Sequence, residues 1–459
     1  MHLPESFLCS LQNIDGFSRE AFVREHSVPE KITSVRINPF KWQQNSLPFT
    51  AHPLPLSRPV PWCATGQYLP ERPLFITDPL FHAGCYYVQE ASSMFLEEII
   101  RSVYPDHSTT SYKVLDLCAA PGGKTTHLSS LFPDSIVVAN EVIKTRVPVL
   151  SENAVKWGME NILVSSNDAA DFKALPGYFD LIVTDAPCSG SGMFRKDPEA
   201  ISEWSLQHVA LCSQRQRRII QDSWTALKEN GILVYCTCSF SKEENEDILD
   251  WIAETFAVES IPARRSVEWG IVETQSDKSR MYGYRFYPDK IKGEGFFIAC
   301  MRKKEPADAR VLKPQGFLHL SKKEESVVAS YIKQPERYSV VRVKEEMRII
   351  EKNYKDELAV LYAALYVKKM GVNAGRIIKN ELVPDHELAL STIISPDRGA
   401  IEADLETALE FLRKKDIPSG NAAKGWNVVR FMGHNLGWVK VLPNRVNNYY
   451  PSASRILKY

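Results

Sequence analysis

The sequence lacks a hydrophobic run long enough to cross a membrane, an excess of charge of either sign, and regularly spaced cysteines. A membrane-spanning helix needs about 18 or more apolar residues in succession, so we expect no membrane segment. The opening residues MHLPESFLCSLQ have no basic stretch followed by an apolar one, which predicts no secretory signal and hence a cytoplasmic protein. The 9 cysteines are scattered and odd in number, so we expect reduced thiols and not a disulfide framework.

The composition is that of an ordinary globular protein with several domains. Of the 459 residues, 44% are hydrophobic and 24% are charged, which excludes a disordered, collagen-like or coiled-coil protein. Changes in pattern along the chain predict four segments. They are an N-terminal module with its connector at 1–110, a catalytic domain at 111–304, a first C-terminal domain at 305–392 and a basic domain at 393–459.

Between residues 113 and 301, short apolar runs alternate with helix-like stretches. The runs are Val114–Leu117, Ile136–Ala139, Ile162–Val164, Leu181–Thr184, Ile232–Cys236 and Phe296–Cys300. The helix-like stretches are Arg146–Trp157, Leu206–Leu227 and Glu243–Phe256. This alternation predicts an α/β fold of βαβ units, with a mostly parallel sheet covered on both faces.

The N-terminal segment is predicted to be a small α/β module. Residues 20–30 have the pattern of a helix and residues 34–38 that of a short strand. Many prolines follow and indicate an extended connector: Pro48, Pro53, Pro55, Pro59, Pro61, Pro70 and Pro73.

The most informative motif follows the first apolar run of the α/β region. The turn Cys118-Ala-Ala-Pro-Gly-Gly-Lys124 joins a strand to a helix, a geometry that brings backbone amides close to a ligand. A phosphate-binding P-loop has the pattern Gly-x-x-x-x-Gly-Lys-[Ser/Thr], and its first glycine would fall on Cys118. An NTPase loop and an accidental Gly-Gly turn are therefore weaker interpretations than a nucleoside site.

Acidic residues at the ends of successive strands favour the nucleoside site. An acidic side chain about 20 residues after such a loop holds ribose hydroxyls, and Glu141 ends the second run at that distance. Asp168, next to Asn167, follows the third run and is placed to address an adenine amino group, and Asp185 ends the fourth. Each residue alone is more often a cap or a turn residue, but the ordered set predicts one crevice.

Two cysteines follow the fourth and fifth predicted strands. Cys188 lies in Asp185-Ala-Pro-Cys-Ser-Gly190 and Cys238 in Tyr235-Cys-Thr-Cys-Ser239, which places both at the rim of the same crevice. A lone cysteine is more often a buried hydrophobe, and a nucleophilic thiol needs an electropositive setting or an adjacent base. No metal is predicted, because Cys236-x-Cys238 has no second Cys/His pair at the spacing of zinc ligands.

Taken in order, these motifs resemble those of the NOL1/NOP2/Sun family of S-adenosylmethionine-dependent RNA cytosine-5 methyltransferases, over about residues 30–302. The motifs are Cys118–Lys124, Asp185–Gly190, Thr237–Ser239 and Glu244–Glu246. The resemblance implies a Rossmann-like class I methyltransferase core with a mostly parallel seven-stranded sheet. The N-terminal α/β module and C-terminal α+β or β-rich RNA-binding domains would flank it.

One position departs from the family pattern, and two segments near the C-terminus resemble one branch of the family more specifically. Asp289 follows Arg285-Phe-Tyr-Pro288, where histidine is expected. The segments 384–389 and 437–451 resemble the C-terminal extension of the bacterial RsmF-type enzymes, which modify small-subunit ribosomal RNA.

The resemblance also implies roles for single residues. Cys238 would be the nucleophile that attacks C6 of cytosine, Cys188 would assist product release, and Asp185 would contact the base and help protonate N3. Without the family, Cys188 would be preferred as nucleophile, because DNA cytosine methyltransferases use the cysteine after proline. S-adenosylmethionine would be held by Cys118, Ala119, Ala120, Pro121, Gly122, Gly123, Lys124, Glu141, Arg146, Asp168 and Asp185.

The neutral total of 56 Lys+Arg and 56 Asp+Glu hides a basic tail. Residues 411–459 contain nine Lys or Arg and one Asp, a net charge of 9 − 1 = +8, together with Trp426, Phe431, Trp438, Tyr449 and Tyr450. Basic residues with interleaved aromatics predict a small RNA-binding β module at 393–459, with several of the aromatics in its core, and the resemblance implies that this module is PUA-like. Further candidates for an RNA path are Arg195, Lys196, Arg215, Arg217 and Arg218.

We therefore expect a monomeric enzyme that forms 5-methylcytosine in small-subunit ribosomal RNA. The target base must be flipped out or lie in a single-stranded loop. The alternatives are the same reaction on transfer RNA, and a non-catalytic RNA-binding factor for ribosome assembly.

Overall fold

A computed structural model describes residues 3–27, 32–42, 58–308, 313–314, 316–318 and 320–457. Pro48, Pro53 and Pro55 of the predicted connector lie outside these residues, as do the end of the predicted helix 20–30 and Lys458 of the basic tail. Among the described residues, no helix combines the length and the apolar character that crossing a bilayer requires.

The N-terminal module contains short helices and a four-stranded antiparallel sheet of order β2-β3-β1-β4. Its elements are α1 (Glu5–Ser10), α2 (Arg19–Ser27), β1 (Thr33–Ile37), β2 (Arg58–Pro59), β3 (Gly66–Leu69), α3 (Pro79–His82), β4 (Tyr86–Val88) and α4 (Leu96–Val103). Strand β1 confirms the predicted strand at 34–38, shifted by one residue.

The α/β region supplies most of a large central sheet. Its strands are β5 (Lys113–Asp116), β6 (Ile136–Asn140), β7 (Ile162–Ser165), β8 (Phe179–Asp185), β9 (Leu227–Thr237), β10 (Val258–Ser260), β11 (Val272–Gln275), β12 (Tyr282–Phe286) and β13 (Phe296–Lys303). Its helices are α5 (Gly123–Leu131), α6 (Val147–Trp157), α7 (Glu199–Glu203), α8 (Leu206–Ser223) and α9 (Glu246–Thr255). Every predicted apolar run forms a strand here.

The C-terminal part contains two further antiparallel or mixed sheets. The first segment has α10 (Lys322–Ala329), β14 (Tyr338–Val343), β15 (Glu346–Glu351), α11 (Lys355–Ala364), β16 (Val367–Lys369), β17 (Val372–Ile378), β18 (Glu381–Pro384) and α12 (His386–Leu390). The last has β19 (Ala400–Ala403), α13 (Leu405–Leu412), β20 (Gly425–Phe431), β21 (His434–Leu442) and β22 (Arg445–Asn448).

The central sheet confirms the predicted methyltransferase-like core and extends it. The ten strands have the order β11-β12-β13-β9-β8-β5-β6-β7-β16, with β10 paired to β13. Strands β7-β6-β5-β8-β9 are parallel, β13 is antiparallel to its neighbour β9, and β12 is antiparallel to β13 and so runs in the direction of β9, which makes the predicted seven strands. Strands β10, β11 and β16 are additions, and β16 comes from the C-terminal part of the chain.

Alternating residues of the central strands face two separate hydrophobic cores. Leu115 of β5 packs on one face with α8 and α9, and its neighbour Val114 packs on the other face with α4 and α5. Because both faces are covered, the strands are apolar throughout, as parallel strands usually are.

The order of the strands determines where a ligand can bind. The chain runs from β5 outward through β6 and β7, and then returns to the other side of β5 with β8 and β9. In such a sheet the crevice lies outside the carboxyl ends of the strands at this reversal. The ends of β5, β6, β7, β8 and β9 are the places where the sequence predicts site residues.

The basic tail domain packs against the N-terminal module. Phe411 and Tyr450 share one hydrophobic cluster with Leu80 and Tyr86. Of the tail aromatics, Phe431, Trp438 and Tyr450 are buried, whereas Tyr449 is 41% exposed. Most of these aromatics therefore stabilise the core, in agreement with the expectation that several would.

Candidate active site

The loop between β5 and α5 is shaped by its small residues. Gly122 has φ +111°, a conformation that side chains disfavour, and a Cβ there would lie 3.2 Å from Leu150 of α6. Thr125 of α5 donates a 2.6 Å hydrogen bond to Asp116 at the end of β5. Burial raises the pKa of Asp116 to about 7. The loop is thus fixed between the central strand and two helices.

Glu141 and Arg146 form a pair beside this loop. Glu141 follows β6 and is buried; its Oε1 accepts a 2.8 Å hydrogen bond from the backbone N–H of Ile143. Its Oε2 lies 3.2 Å from Arg146 Nη1 but accepts no hydrogen bond within the described part of the chain. Arg146 also donates to the carbonyl of Ala120 in the loop. A buried acceptor without a donor is the kind of atom that a ligand hydroxyl satisfies.

A cavity of about 430 Å³ opens at the carboxyl ends of β5 to β9, within the size range of small-molecule sites. Of the predicted site residues, its lining includes Cys118, Ala120, Glu141, Arg146, Asp168, Asp185, Cys188 and Cys238. The other predicted loop residues, among them Ala119, Pro121 and Gly123, do not line the cavity but contact neighbouring elements. Ala119 packs against α6, the Pro121 carbonyl accepts from Asn153, and Gly123 lies against Tyr87.

Several lining residues carry no predicted cofactor role. Val142, Ile143 and Ile219 give the cavity apolar walls suited to a flat ring, and Arg215 and Arg218 reach its rim. In the sequence, the signal for Val142 and Ile143 was their apolar character directly after Glu141, but apolar residues are common at the start of any helix. Arg218 also forms a 3.5 Å ion pair with Asp168.

The two candidate cysteines meet at the mouth of the cavity. Cys188 Sγ and Cys238 Sγ are 2.9 Å apart, although they are 50 residues apart in sequence. Both are free thiols, and the contact with Cys238, together with burial, raises the pKa of Cys188 well above its usual value. A thiol held this close to a second sulfur can donate a hydrogen bond to it. The arrangement suits one thiolate and one thiol.

Lys124 supplies positive charge beside Asp185. Its Nζ donates a 2.7 Å hydrogen bond to Asp185 and lies 4.9 Å from the ring centre of Phe296. Burial alone would lower the pKa of Lys124, but Asp185 outweighs it and the pKa is raised. Lys124 is therefore cationic, and it holds the carboxylate of Asp185 in place.

The carboxylate of Glu244 links the two loops that carry Cys188 and Cys238. The backbone N–H and the hydroxyl of Ser189 donate to it at 2.8 and 2.5 Å, and the Ser239 hydroxyl donates at 2.5 Å. Gln216 of α8 adds a fourth donor at 3.1 Å. Burial raises the pKa of Glu244, but every contact is a donor, so the carboxylate form is the one that fits. Glu244 thereby fixes the residues next to Cys188 and Cys238.

Replacing Glu244 with glutamine is expected to disturb both cysteine loops without touching the cavity. The amide NH₂ would face donors and leave at least one buried group unpaired, at a cost of about 1–3 kcal/mol. We expect turnover to fall about 10–100-fold while the affinity of the cavity for its ligand stays the same. Glu243→Gln, an exposed neighbour, is the matched control. Equal kcat in both variants would contradict a positioning role.

Two other positions that the sequence singled out, Arg195 and Asp289, have buried side chains. Arg195 is not available as a surface RNA contact: it is buried and forms ion pairs with Glu25 and Glu294, at 3.3 and 4.0 Å. Asp289, the departure from the family pattern, has a largely buried side chain 3.6 Å from Lys290.

Comparisons with known proteins match three parts of the chain to family models. A family model described as 16S rRNA methyltransferase RsmB/F matches residues 105–302. Models of the N-terminal domain of 16S rRNA methyltransferase RsmF and of the methyltransferase RsmF PUA domain match residues 3–91 and 398–456.

Full-length relatives and solved structures add to this. Ribosomal RNA small subunit methyltransferase F of Vibrio campbellii is 31% identical over 98% of this chain and 97% of its own length. The Aeromonas hydrophila protein of the same name is 30% identical over the same shares. A methyltransferase homologue from Pyrococcus horikoshii has a TM-score of 0.52 at 28% identity, over 66% of this chain and 100% of its own. NSun6 from the same organism, solved with SFG, has a TM-score of 0.53 at 20% identity, over 66% and 98%, and shows the shared fold.

Proposed function

The chain belongs to the RsmF branch of the 16S rRNA methyltransferase RsmB/F family, and from this we propose that it forms 5-methylcytosine in small-subunit ribosomal RNA with S-adenosylmethionine as methyl donor. The observation that carries the proposal is the thiol pair at 2.9 Å on the rim of the 430 Å³ cavity. The intact pair and cavity favour an enzyme over a non-catalytic assembly factor.

The cavity has the kinds of side chain that could hold S-adenosylmethionine. Glu141 has a buried oxygen that accepts no hydrogen bond from the described part of the protein and could accept one from the ribose hydroxyls. Val142, Ile143 and Ile219 would form apolar walls around the adenine. Asp168 would address the adenine amino group. When bound there, S-adenosylmethionine supplies an electrophilic methyl group.

The residues on the rim would activate the base. Cytosine C5 is a weak nucleophile, and a covalent bond from Cys238 Sγ to C6 makes it enamine-like. Asp185 would contact the base and help to pass the proton that the Cys238 thiol gives up on to N3, while Lys124 holds its carboxylate in place at 2.7 Å. Cys188, at 2.9 Å from Cys238, would assist removal of the C5 proton so that Cys238 can leave.

The proposal is tested by methyl transfer from tritiated S-adenosylmethionine. Small-subunit RNA from a strain that lacks this gene is offered free and as assembled subunits, with transfer RNA as a separate substrate. Digestion to nucleosides should place the label in 5-methylcytidine of the ribosomal RNA. Label in another nucleoside, or transfer RNA as the preferred substrate, would contradict it.

The basic tail is predicted to contribute phosphate contacts. Deleting the tail would uncover the cluster around Leu80 and Tyr86, so charge removal is the cleaner test. Lys424, Arg445 and Arg455 are exposed. Their triple replacement with glutamine should weaken RNA binding at low salt and reduce the slope of log K against log salt by up to about 3. Binding of S-adenosylmethionine, measured by calorimetry, should not change. An unchanged salt slope would show that the tail is structural only.

A further inference from the structure

A second group of reactive side chains lies away from the cavity, where the N-terminal module meets the central sheet. Cys63 comes from the loop between β2 and β3, Glu97 from α4 and His127 from α5. All three are buried, with exposures of 3%, 3% and 1%. One ligand atom from each lies within 4.8 Å of the other two. The proposed enzymatic function uses none of them.

The distances are close to those of a tetrahedral zinc site. His127 Nε2 is 3.2 Å from Glu97 Oε2 and 3.9 Å from Cys63 Sγ. With Zn–N and Zn–O bonds of about 2.0–2.2 Å and a Zn–S bond of about 2.3 Å, tetrahedral ligands stand about 3.2–3.6 Å apart. The distance from His127 Nε2 to Glu97 Oε2 lies in this range, the distance to Cys63 Sγ exceeds it by a few tenths of an ångström, and the third pair is within 4.8 Å.

The surroundings already orient Glu97 as a one-oxygen ligand. Its Oε1 accepts from the backbone N–H of Ala64 at 3.2 Å and pairs with Arg101 at 2.5 Å. This leaves Oε2 directed at His127 and Cys63, and outer contacts of this kind orient metal-binding carboxylates. Arg36, a nearby cation, donates to Gln89 and Thr126 and not to the three ligand atoms.

Charge and access are also suitable. Cysteine, glutamate and histidine are each zinc-ligating side chains, and a thiolate and a carboxylate supply two negative charges, of which the carboxylate is shared with Arg101. A fourth ligand can come from the side where Thr65, which is half-buried, has its hydroxyl 3.8 Å from Cys63 Sγ. Either that hydroxyl or a water molecule can occupy the position.

We propose that Cys63, Glu97 and His127 bind a structural zinc ion, which fastens the N-terminal module to the helices that cover the central sheet. Binding replaces the Cys63 thiol proton, which is released to solvent, with a sulfur–zinc bond. The ion takes no part in methyl transfer, so this inference and the proposed function can fail separately.

The test compares zinc content between variants of the full-length protein. Each is incubated with a small excess of zinc chloride, passed over a desalting column, and analysed by mass spectrometry of the metal. His127→Gln can still donate a hydrogen bond to Glu97 but cannot ligate zinc through an imidazole. Cys85→Ser is the matched control, because Cys85 is likewise free and buried but belongs to no such ligand group among the residues that the structure describes. The catalytic thiols are present in every variant, so the difference between variants isolates this site.

We expect the wild type and Cys85→Ser to hold one zinc ion more per chain than His127→Gln and Cys63→Ala. Chelation should lower the Tm of the first two and leave the Tm of the other two unchanged. Cobalt substitution should give a thiolate-to-metal charge-transfer band that is absent without Cys63. If Cys63→Ala does not fold, His127→Gln and the cobalt spectrum decide. Equal zinc content in the wild type and His127→Gln would overturn the proposal and identify the three residues as a hydrogen-bonded cluster.

Discussion

Cys238→Ala is expected to abolish methyl transfer to RNA, with a loss of at least about 10³-fold in kcat/KM, or roughly 4 kcal/mol of transition-state stabilisation. The reason is chemical: without a sulfur on C6, C5 keeps its low nucleophilicity whatever else the site binds. S-adenosylmethionine should bind with unchanged Kd, because Glu141 and the apolar walls are untouched. Incorporation of tritiated methyl groups into ribosomal RNA measures the first effect, and calorimetry measures the second.

The matched control is Cys236→Ala, two residues away, on the strand β9 that leads into the loop of Cys238. Cys236 is fully buried and packs in the core with Val234 and Cys300, on the opposite side of the sheet from α8. Its loss should reduce stability slightly and leave most of the activity. Wild-type incorporation by Cys238→Ala would remove Cys238 from the mechanism.

The strands and the crevice could be predicted because their signals are local. A buried parallel strand must be apolar on both faces, so Ile136–Asn140 and its counterparts stand out as runs in the sequence. The loops at their carboxyl ends then follow from topology alone. This is why the sequence alone predicts one shared edge of the sheet for Glu141, Asp168, Asp185, Cys188 and Cys238.

Contacts between distant segments could not be predicted in this way. Arg195 has the pattern of a surface arginine, and only the fold brings Glu25 and Glu294 to it. Cys63, Glu97 and His127 come from three elements, with Glu97 and His127 30 residues apart, so no ligand spacing exists to detect. Glu244 was recognised as part of a motif, but its role as an acceptor for Ser189, Ser239 and Gln216 depends on two loops meeting.

Both thiols lie at the rim of the cavity, so position does not tell their roles apart. The roles are distinguished by the step at which the reaction stops when each cysteine is replaced. Cys188→Ala should still form the bond between Cys238 and C6 and still accept the methyl group. It should then stall, because the group 2.9 Å from Cys238 that assists loss of the C5 proton is missing. We expect multiple turnover to fall at least about tenfold and a covalent enzyme–RNA adduct to accumulate. The adduct is measured as a slowly migrating band on a denaturing gel that contains a reducing agent.

The adduct must depend on Cys238 to carry this meaning. A thioether survives reducing agents, whereas a disulfide does not, and ribonuclease should collapse the band to the mobility of the free protein. The double variant Cys188→Ala/Cys238→Ala should give no band, since no nucleophile remains. If instead Cys238→Ala trapped RNA and Cys188→Ala abolished transfer, the nucleophile would be the cysteine that follows proline, and the order of the two steps along the rim would be reversed. If neither single variant trapped RNA, release would not require a second thiol, and the 2.9 Å contact would serve only to hold Cys238 in place.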